Sequence, residues 1–213
     1  MTRGTLIVLA KAPRPGRTKT RLCPPCTPEE AAALAEAALI DTLAAAAATP
    51  VEQRVLVLDG PPGSWLAAGA GIEVVPQRRG GLDERLAAAF ADVRGPALLI
   101  GMDTPQVDAP LLHRALCDLA RPDVDAVLGL ADDGGWWALG LRHPDPADVV
   151  GVPMSTPWTG RAQRLRLLDR GHRMATLPSL RDVDTIDDAW AVAAASPDSH
   201  FAATLAGLGA LAR

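Results

Sequence analysis

Five cations crowd into eleven residues near the N-terminus: Lys11, Arg14, Arg17, Lys19 and Arg21, in the run Lys11-Ala-Pro-Arg-Pro-Gly-Arg-Thr-Lys-Thr-Arg-Leu22. Like charges this close repel unless a polyanion compensates them, and paired donors of this kind suit the oxygens of a di- or triphosphate. Gly16 lets the backbone turn closely around such a ligand, while Pro13 and Pro15 restrict how far the loop wanders. The run is not a Walker A loop, because Gly16-Arg-Thr-Lys19 lacks the Gly-Lys adjacency and the earlier glycine, and it is not a dinucleotide fingerprint. A solvated basic loop is the reading that the residues leave open beside the phosphate one.

Aspartates supply the complementary chemistry. Asp103 stands in Ile100-Gly-Met-Asp-Thr-Pro105, and Asp182 and Asp184 in Arg181-Asp-Val-Asp-Thr185, of which only one is expected to face a site. Mg²⁺ takes one or two protein carboxylates and keeps its other positions for water and phosphate oxygens, so Asp103 with one of the later pair fits that ion. Each of these aspartates also precedes a helical segment, and helix capping is the alternative. In Asp132-Asp133-Gly134-Gly135-Trp136-Trp137 the glycines permit close backbone approach, and a tryptophan beside them can stack on a base or sugar. A tight hairpin turn followed by core tryptophans explains that segment equally well.

Other candidates carry less. Cys23-Pro-Pro-Cys26 has redox spacing but no partner in view, and three cysteines do not make a disulfide framework. His113, His143, His172 and His200 are scattered without metal-ligand spacing, and no Gly-x-Ser-x-Gly elbow is present.

The elements that must position these residues alternate between strand and helix. Thr5–Ala10 is an uninterrupted apolar run, as a strand buried on both faces requires. Thr27-Pro28-Glu29-Glu30 then opens an Ala-rich helix with a hydroxyl cap, an N1 proline and acids against the dipole. Strands are predicted at 54–59, 72–75, 97–100, 125–130, 136–141 and 174–177, and helices at 82–93, 109–120, 161–169 and after Asp184 and Asp198. This alternation predicts an α/β fold, a three-layer, Rossmann-like sandwich around a mostly parallel sheet. Ligands in such sheets bind beyond the carboxyl ends of the strands, where this chain carries its unusual residues.

The chain has 213 residues, 48% of them hydrophobic and 22% charged, enough for a sizeable core in a single domain. That domain is expected to span 1–213, with a core over about 4–195 and a helical extension over about 197–213. A net charge of −4 argues against a general nucleic-acid binder. No unbroken apolar run reaches the ~18 residues of a bilayer span, and no signal-like segment is present, so a soluble, cytoplasmic protein with no membrane partner is expected. Of 21 basic residues only Lys11 and Lys19 are lysine, and both fall in the basic loop.

Taken together and in order, Lys11–Leu22, Gly101-Met-Asp-Thr-Pro105, Asp132-Asp-Gly-Gly-Trp136 and Asp182-Val-Asp-Thr185 resemble a bacterial family of unknown function described as glycosyltransferase-A-like or nucleotide-diphospho-sugar-transferase-like. The likeness spans about residues 4–195, and the Ala-Pro-x-Pro-Gly-x-x-Lys-Thr-Arg-Leu loop is its most distinctive part. More distantly, the Lys-Thr-Arg-Leu segment is similar to 2-phospholactate guanylyltransferases, and the architecture resembles molybdenum-cofactor guanylyltransferases. The resemblance implies a GT-A fold. It implies a nucleotide held by Ala10, Lys11, Ala12, Gly16, Arg17, Lys19, Arg21 and Gln77, with Gly80-Gly81 positioning its loop. It also implies Mg²⁺ near Asp103 and Asp184. Where GT-A glycosyltransferases carry Asp-x-Asp, this chain has Gly101-Met-Asp103, which with the basic loop shifts the expectation toward nucleotidyl transfer. The expected reaction passes a nucleoside monophosphate from a triphosphate to a small phosphorylated or phosphonylated acceptor. Lys19 and Asp103 would be catalytic, and Asp133, Gly134, Gly135 and Trp136 would line the acceptor side. A glycosyltransferase using a nucleotide-diphospho-sugar is the alternative, and a non-catalytic nucleotide-binding module a second.

Overall fold

The structure, a computed structural model, describes residues 2–208. Seven strands, β1 (Thr2–Lys11), β2 (Val51–Asp59), β3 (Glu73–Pro76), β4 (Ala97–Ile100), β5 (Ala126–Ala131), β6 (Trp136–Leu141) and β7 (Met174–Leu180), form one sheet in the order β3-β2-β1-β4-β6-β5-β7. Only β6 runs against its neighbours, β4 and β5, and the remaining pairs are parallel. The expected α/β sandwich with a mostly parallel sheet is therefore the fold. Because β6 is reversed, the β5–β6 turn lies at the same edge as the carboxyl ends of β1, β4 and β7. All four segments singled out for chemistry meet at that edge. The chain winds outward from β1 to β3 and then returns to β4 on the other side, so the crevice between β1 and β4 is the switch point where such sheets bind ligands.

Helices α1 (Pro28–Ala48) and α3 (Ala109–Ala120) cover one face, and α2 (Leu82–Ala91) and α4 (Thr159–Asp169) the other. Alternation along the strands feeds both layers: Leu6, Val8, Leu98 and Ile100 pack on the α1/α3 side, Ile7 and Leu99 on the α2/α4 side. Helix α1 begins as its sequence dictates, with the Thr27 hydroxyl accepting from the Glu30 N–H and the Glu30 carboxylate accepting from the Thr27 N–H. By length and composition α1 could cross a membrane. It is apolar on both sides because it is covered on both. Leu39 and Leu43 face the sheet, while Ala31, Leu34 and Ala38 pack on α5 (Ile186–Ala195) and α6 (His200–Gly207). Asp41 of α1 fixes that layer by accepting from the N–H groups of His200 and Phe201. Of the expected helical extension, α6 is seen, and 209–213 lie outside the described residues.

Strands β1 and β2 begin three residues earlier than expected, and two further departures concern β7 and β6. β7 continues to Leu180 through Pro178, which the ladder tolerates because β7 is an edge strand. In β6 the register slips, pairing Leu130 with Trp136 but Gly129 with Ala138, so Trp137 is an extra residue. This irregularity sets which tryptophan faces which layer. Trp137 is in the core, its indole N–H donating to the Pro178 carbonyl at 2.9 Å, whereas Trp136 is partly exposed on the other side.

Candidate active site

The basic loop is held in shape by its own backbone. After β1, the Arg14 carbonyl accepts from the N–H groups of Arg17 (3.0 Å) and Thr18 (3.2 Å) and from the Thr18 hydroxyl, closing a turn at Gly16 (φ +70°). Lys19 then adopts a left-handed conformation (φ +51°), and Leu22, buried under α1, pins the exit. The result is a lysine directed inward. Its side chain is 8% exposed, its ammonium lies 2.5 Å from Asp103 Oδ1 and 3.7 Å from Asp184 Oδ1, and it also donates to the Val183 carbonyl. Arg21 donates to Asp184 Oδ2 at 2.8 Å from the solvent side. An ammonium removed from water is stable only with this degree of charge pairing and hydrogen bonding. A solvated basic loop does not describe Lys19, although Lys11, Arg14 and Arg17 are exposed.

Neither Asp103 nor Asp184 is spent on a helix. Asp108 caps α3, and Thr185, in a reciprocal pair with Asp188, caps α5. The expectation that only one of Asp182 and Asp184 faces the site is corrected, because both line the same cavity. Residues two apart in an extended segment share a side, and Val183 between them points the other way into the α1/α5/α6 core. The Val183 N–H donates to the Asp103 carbonyl at 2.9 Å, which joins the post-β4 and post-β7 loops. Burial, reinforced by Asp103 and Asp133, pushes the Asp182 carboxyl up to about 7, against an opposing pull from Lys19.

Two cavities open at this edge and share Asp103, Leu9 and Leu82 as their common wall. The smaller, about 280 Å³, is lined by Ala10, Lys11, Arg17 and Lys19 and by Arg85 of α2. Gln77 forms part of it with its amide fully committed: Nε2 donates to the carbonyls of Ala10 (2.8 Å) and Val57 (3.2 Å), and Oε1 accepts from Arg85 (2.9 Å). Sequence reasoning missed Arg85. The signal was its place in the first turns of the helix that follows Gly80-Gly81, on the same connection as Gln77.

The larger cavity, about 500 Å³, takes its acids from Asp133, Asp182 and Asp184 beside Asp103, with Gly135 and Trp136 from the β5–β6 turn. A second missed segment, 154–159, forms its far wall and includes Ser155 in a left-handed conformation (φ +57°). Three expected residues line neither cavity. Ala12 is buried against Gly60, and Gly16 sits in the exposed turn. Gly134 (φ +90°) is glycine for packing, since a Cβ there would stand 1.9 Å from the Pro157 carbonyl oxygen. Among the described residues no group of three or more His, Cys, Asp or Glu is arranged to hold a metal, so a metal here would rest on at most two protein carboxylates, of which Asp103 and Asp184 are the expected pair. Both carboxylates lie against the Lys19 ammonium and both line the larger cavity, so they present oxygens to one space beside that ammonium. Cys23 and Cys26 are free, and burial pushes the Cys26 thiol up, away from the reactive thiolate.

Comparison with solved structures finds the same fold. A protein from Desulfovibrio desulfuricans G20 assigned as a nucleotide-diphospho-sugar transferase is 25% identical, with a TM-score of 0.84 over 97% of this chain and 96% of that one. A nucleotidyl transferase from Methanothermobacter shares the fold at 16% identity, with a TM-score of 0.59 over 94% of this chain and 98% of that one. A CMP:2-keto-3-deoxy-manno-octonic acid synthetase complexed with CTP shares it at 14% identity, with a TM-score of 0.56 over 89% and 97%. No curated protein matches the chain. The family described as "uncharacterized protein conserved in bacteria (DUF2064)" matches residues 42–156, a span that holds Gln77, Asp103 and the Asp133–Trp136 turn, and the chain belongs to that family.

Proposed function

We propose that this chain is a Mg²⁺-dependent nucleotidyltransferase that passes a nucleoside monophosphate from a nucleoside triphosphate to a small-molecule acceptor. The observation that carries this reading is the buried Lys19 ammonium held between Asp103 and Asp184 where a basic cavity meets an acidic one. The smaller cavity would take the triphosphate, with Lys11, Arg17 and Arg85 neutralising its phosphates and Ala10 and Gln77 shaping the floor. Lys19, anchored at the shared wall, would hold the β- and γ-phosphates and stabilise the charge on departing pyrophosphate, with Arg21 assisting from the rim. Asp103 and Asp184 would hold Mg²⁺, which supplies charge neutralisation at the α-phosphate when bound. Asp133, Gly135 and Trp136 would line the acceptor side. Phosphoryl chemistry of this kind is accelerated chiefly by positioning and by fixed charges, and the rigid loop anchors described above provide both.

A second reading, a glycosyltransferase using a nucleotide-diphospho-sugar in the same crevice, is favoured by the likeness to the Desulfovibrio protein over nearly the whole chain. A non-catalytic nucleotide-binding module is disfavoured because Asp103 and Asp184 share one cation centre. The discriminating experiment supplies ATP, GTP, CTP or UTP with Mg²⁺ and a pool of small acceptors, and in parallel a panel of sugar nucleotides. Pyrophosphate release from one triphosphate is the expected result. Cleavage of a sugar nucleotide without pyrophosphate release from any triphosphate would overturn the leading reading.

A further inference from the structure

The larger cavity has a charge balance that bears on what it accepts. Its wall carries Asp103, Asp133, Asp182 and Asp184 against a single lining cation, Arg21, whose guanidinium is already paired with Asp184 at 2.8 Å. The nearby Lys19 ammonium is likewise occupied by Asp103, Asp184 and the Val183 carbonyl. In the loaded site of the proposed function a divalent ion would take Asp103 and Asp184 and the triphosphate would take Lys19 and Arg21, which leaves Asp133, with Asp182 beside it, facing the space. A second anion brought here would find no unpaired cation among the lining residues, whereas the smaller cavity offers several. The rest of the wall is apolar, from Leu9, Leu82, Leu86, Leu99, Trp136 and Met154, with hydroxyls from Ser155, Thr156 and Thr159. Apolar walls with a few hydroxyls, in about 500 Å³, select a small molecule by its hydrocarbon surface.

From this we infer that the acceptor is an uncharged alcohol with a hydrocarbon body, rather than a phosphorylated or phosphonylated compound. The inference rests on the nucleotidyl-transfer reading for its chemistry and on the cavity alone for its ligand class. The alcohol oxygen bonds to the α-phosphorus while the bond from that phosphorus to the oxygen bridging to the β-phosphate breaks. Pyrophosphate leaves, and the hydroxyl proton passes to solvent, giving a nucleotidyl phosphodiester.

The test compares ligands that share a skeleton: 3-phenylpropan-1-ol, 3-phenylpropyl phosphate and 3-phenylpropylamine. Each is titrated by ligand-observed NMR into the full chain in Mg²⁺ buffer, with and without a non-hydrolysable triphosphate. Gly101→Val is the cavity control, since a Cβ at Gly101 meets nothing closer than 4.0 Å and a larger side chain there would occupy the cavity. The inference predicts that the alcohol binds at least tenfold tighter than the phosphate ester and is lost at least tenfold in Gly101→Val, whose melting temperature stays near wild type. Tighter binding of the phosphate ester, absence of alcohol binding, or equal alcohol binding to the variant would overturn it. If the alcohol binds and no triphosphate raises the melting temperature, the nucleotidyl reading falls while the ligand class stands. If a triphosphate binds and the phosphate ester outcompetes the alcohol, the reverse holds.

Discussion

The two cavities share a wall and little else. On one side Lys11, Arg17, Lys19 and Arg85 face a small space with no carboxylate but Asp103, and on the other four aspartates and one arginine face a larger one. A sheet edge could have spread these charges evenly. On the proposed function this segregation gives the two substrates separate places, the polyanion on the basic side and the acceptor on the acidic one. Lys19 is the hinge of the contrast, since its backbone belongs to the basic loop and its ammonium compensates the acids.

Removing that hinge should have the largest effect. Lys19→Ala is expected to lower turnover by about 10²–10³-fold, the scale of losing one preorganised donor to developing charge. Lys11→Ala, at an exposed residue, should lower it less than about fivefold. Steady-state rates of the two variants compare them, and equal losses would erase the distinction between anchor and rim. Next comes the acidic side's framework. Gly134→Ala forces a Cβ onto the Pro157 carbonyl at positive φ, and thermal unfolding should report a destabilisation of about 3 kcal/mol. Arg85→Ala should raise KM for the triphosphate about tenfold, roughly 1.4 kcal/mol, with little change in kcat. A matching rise in acceptor KM would show that the cavities are not independent.

The smallest effect is expected away from both cavities. The Arg173 guanidinium and backbone N–H hold the Asp125 carboxyl well below the usual carboxylate range. A depressed carboxyl stabilises the fold at pH above its unfolded value and loses that contribution as pH falls through the acid range. Arg173→Met should therefore lower stability at neutral pH only slightly and flatten its fall below pH 4, read from denaturant unfolding at several pH values.

Much of this organisation was legible from residue types alone. The N-cap of α1, the bounds of β4, α3 and β6, and the convergence of four segments at one edge all follow from capping, apolar runs and strand–helix alternation. What escaped depends on three-dimensional pairing. Arg85 and Ser155–Thr159 carry no local motif and reach the crevice only because α2 and the pre-α4 loop pack over it. Which tryptophan is core and which lines a cavity was decided by a register slip between β5 and β6, invisible to a two-residue period. Gly134 looked like a ligand-facing glycine and proved to be a packing one, because its neighbour Pro157 lies 23 positions further along the chain.

The central claim is that Asp103, at the shared wall, holds a metal that the nucleotide needs. Thermal melting of wild type and Asp103→Ala, titrated with the four common nucleoside triphosphates in Mg²⁺ or EDTA, tests it most directly. The account predicts that one triphosphate raises the wild-type melting temperature only with Mg²⁺, and that Asp103→Ala folds but loses this response. An unchanged Mg²⁺-dependent affinity in Asp103→Ala would contradict it.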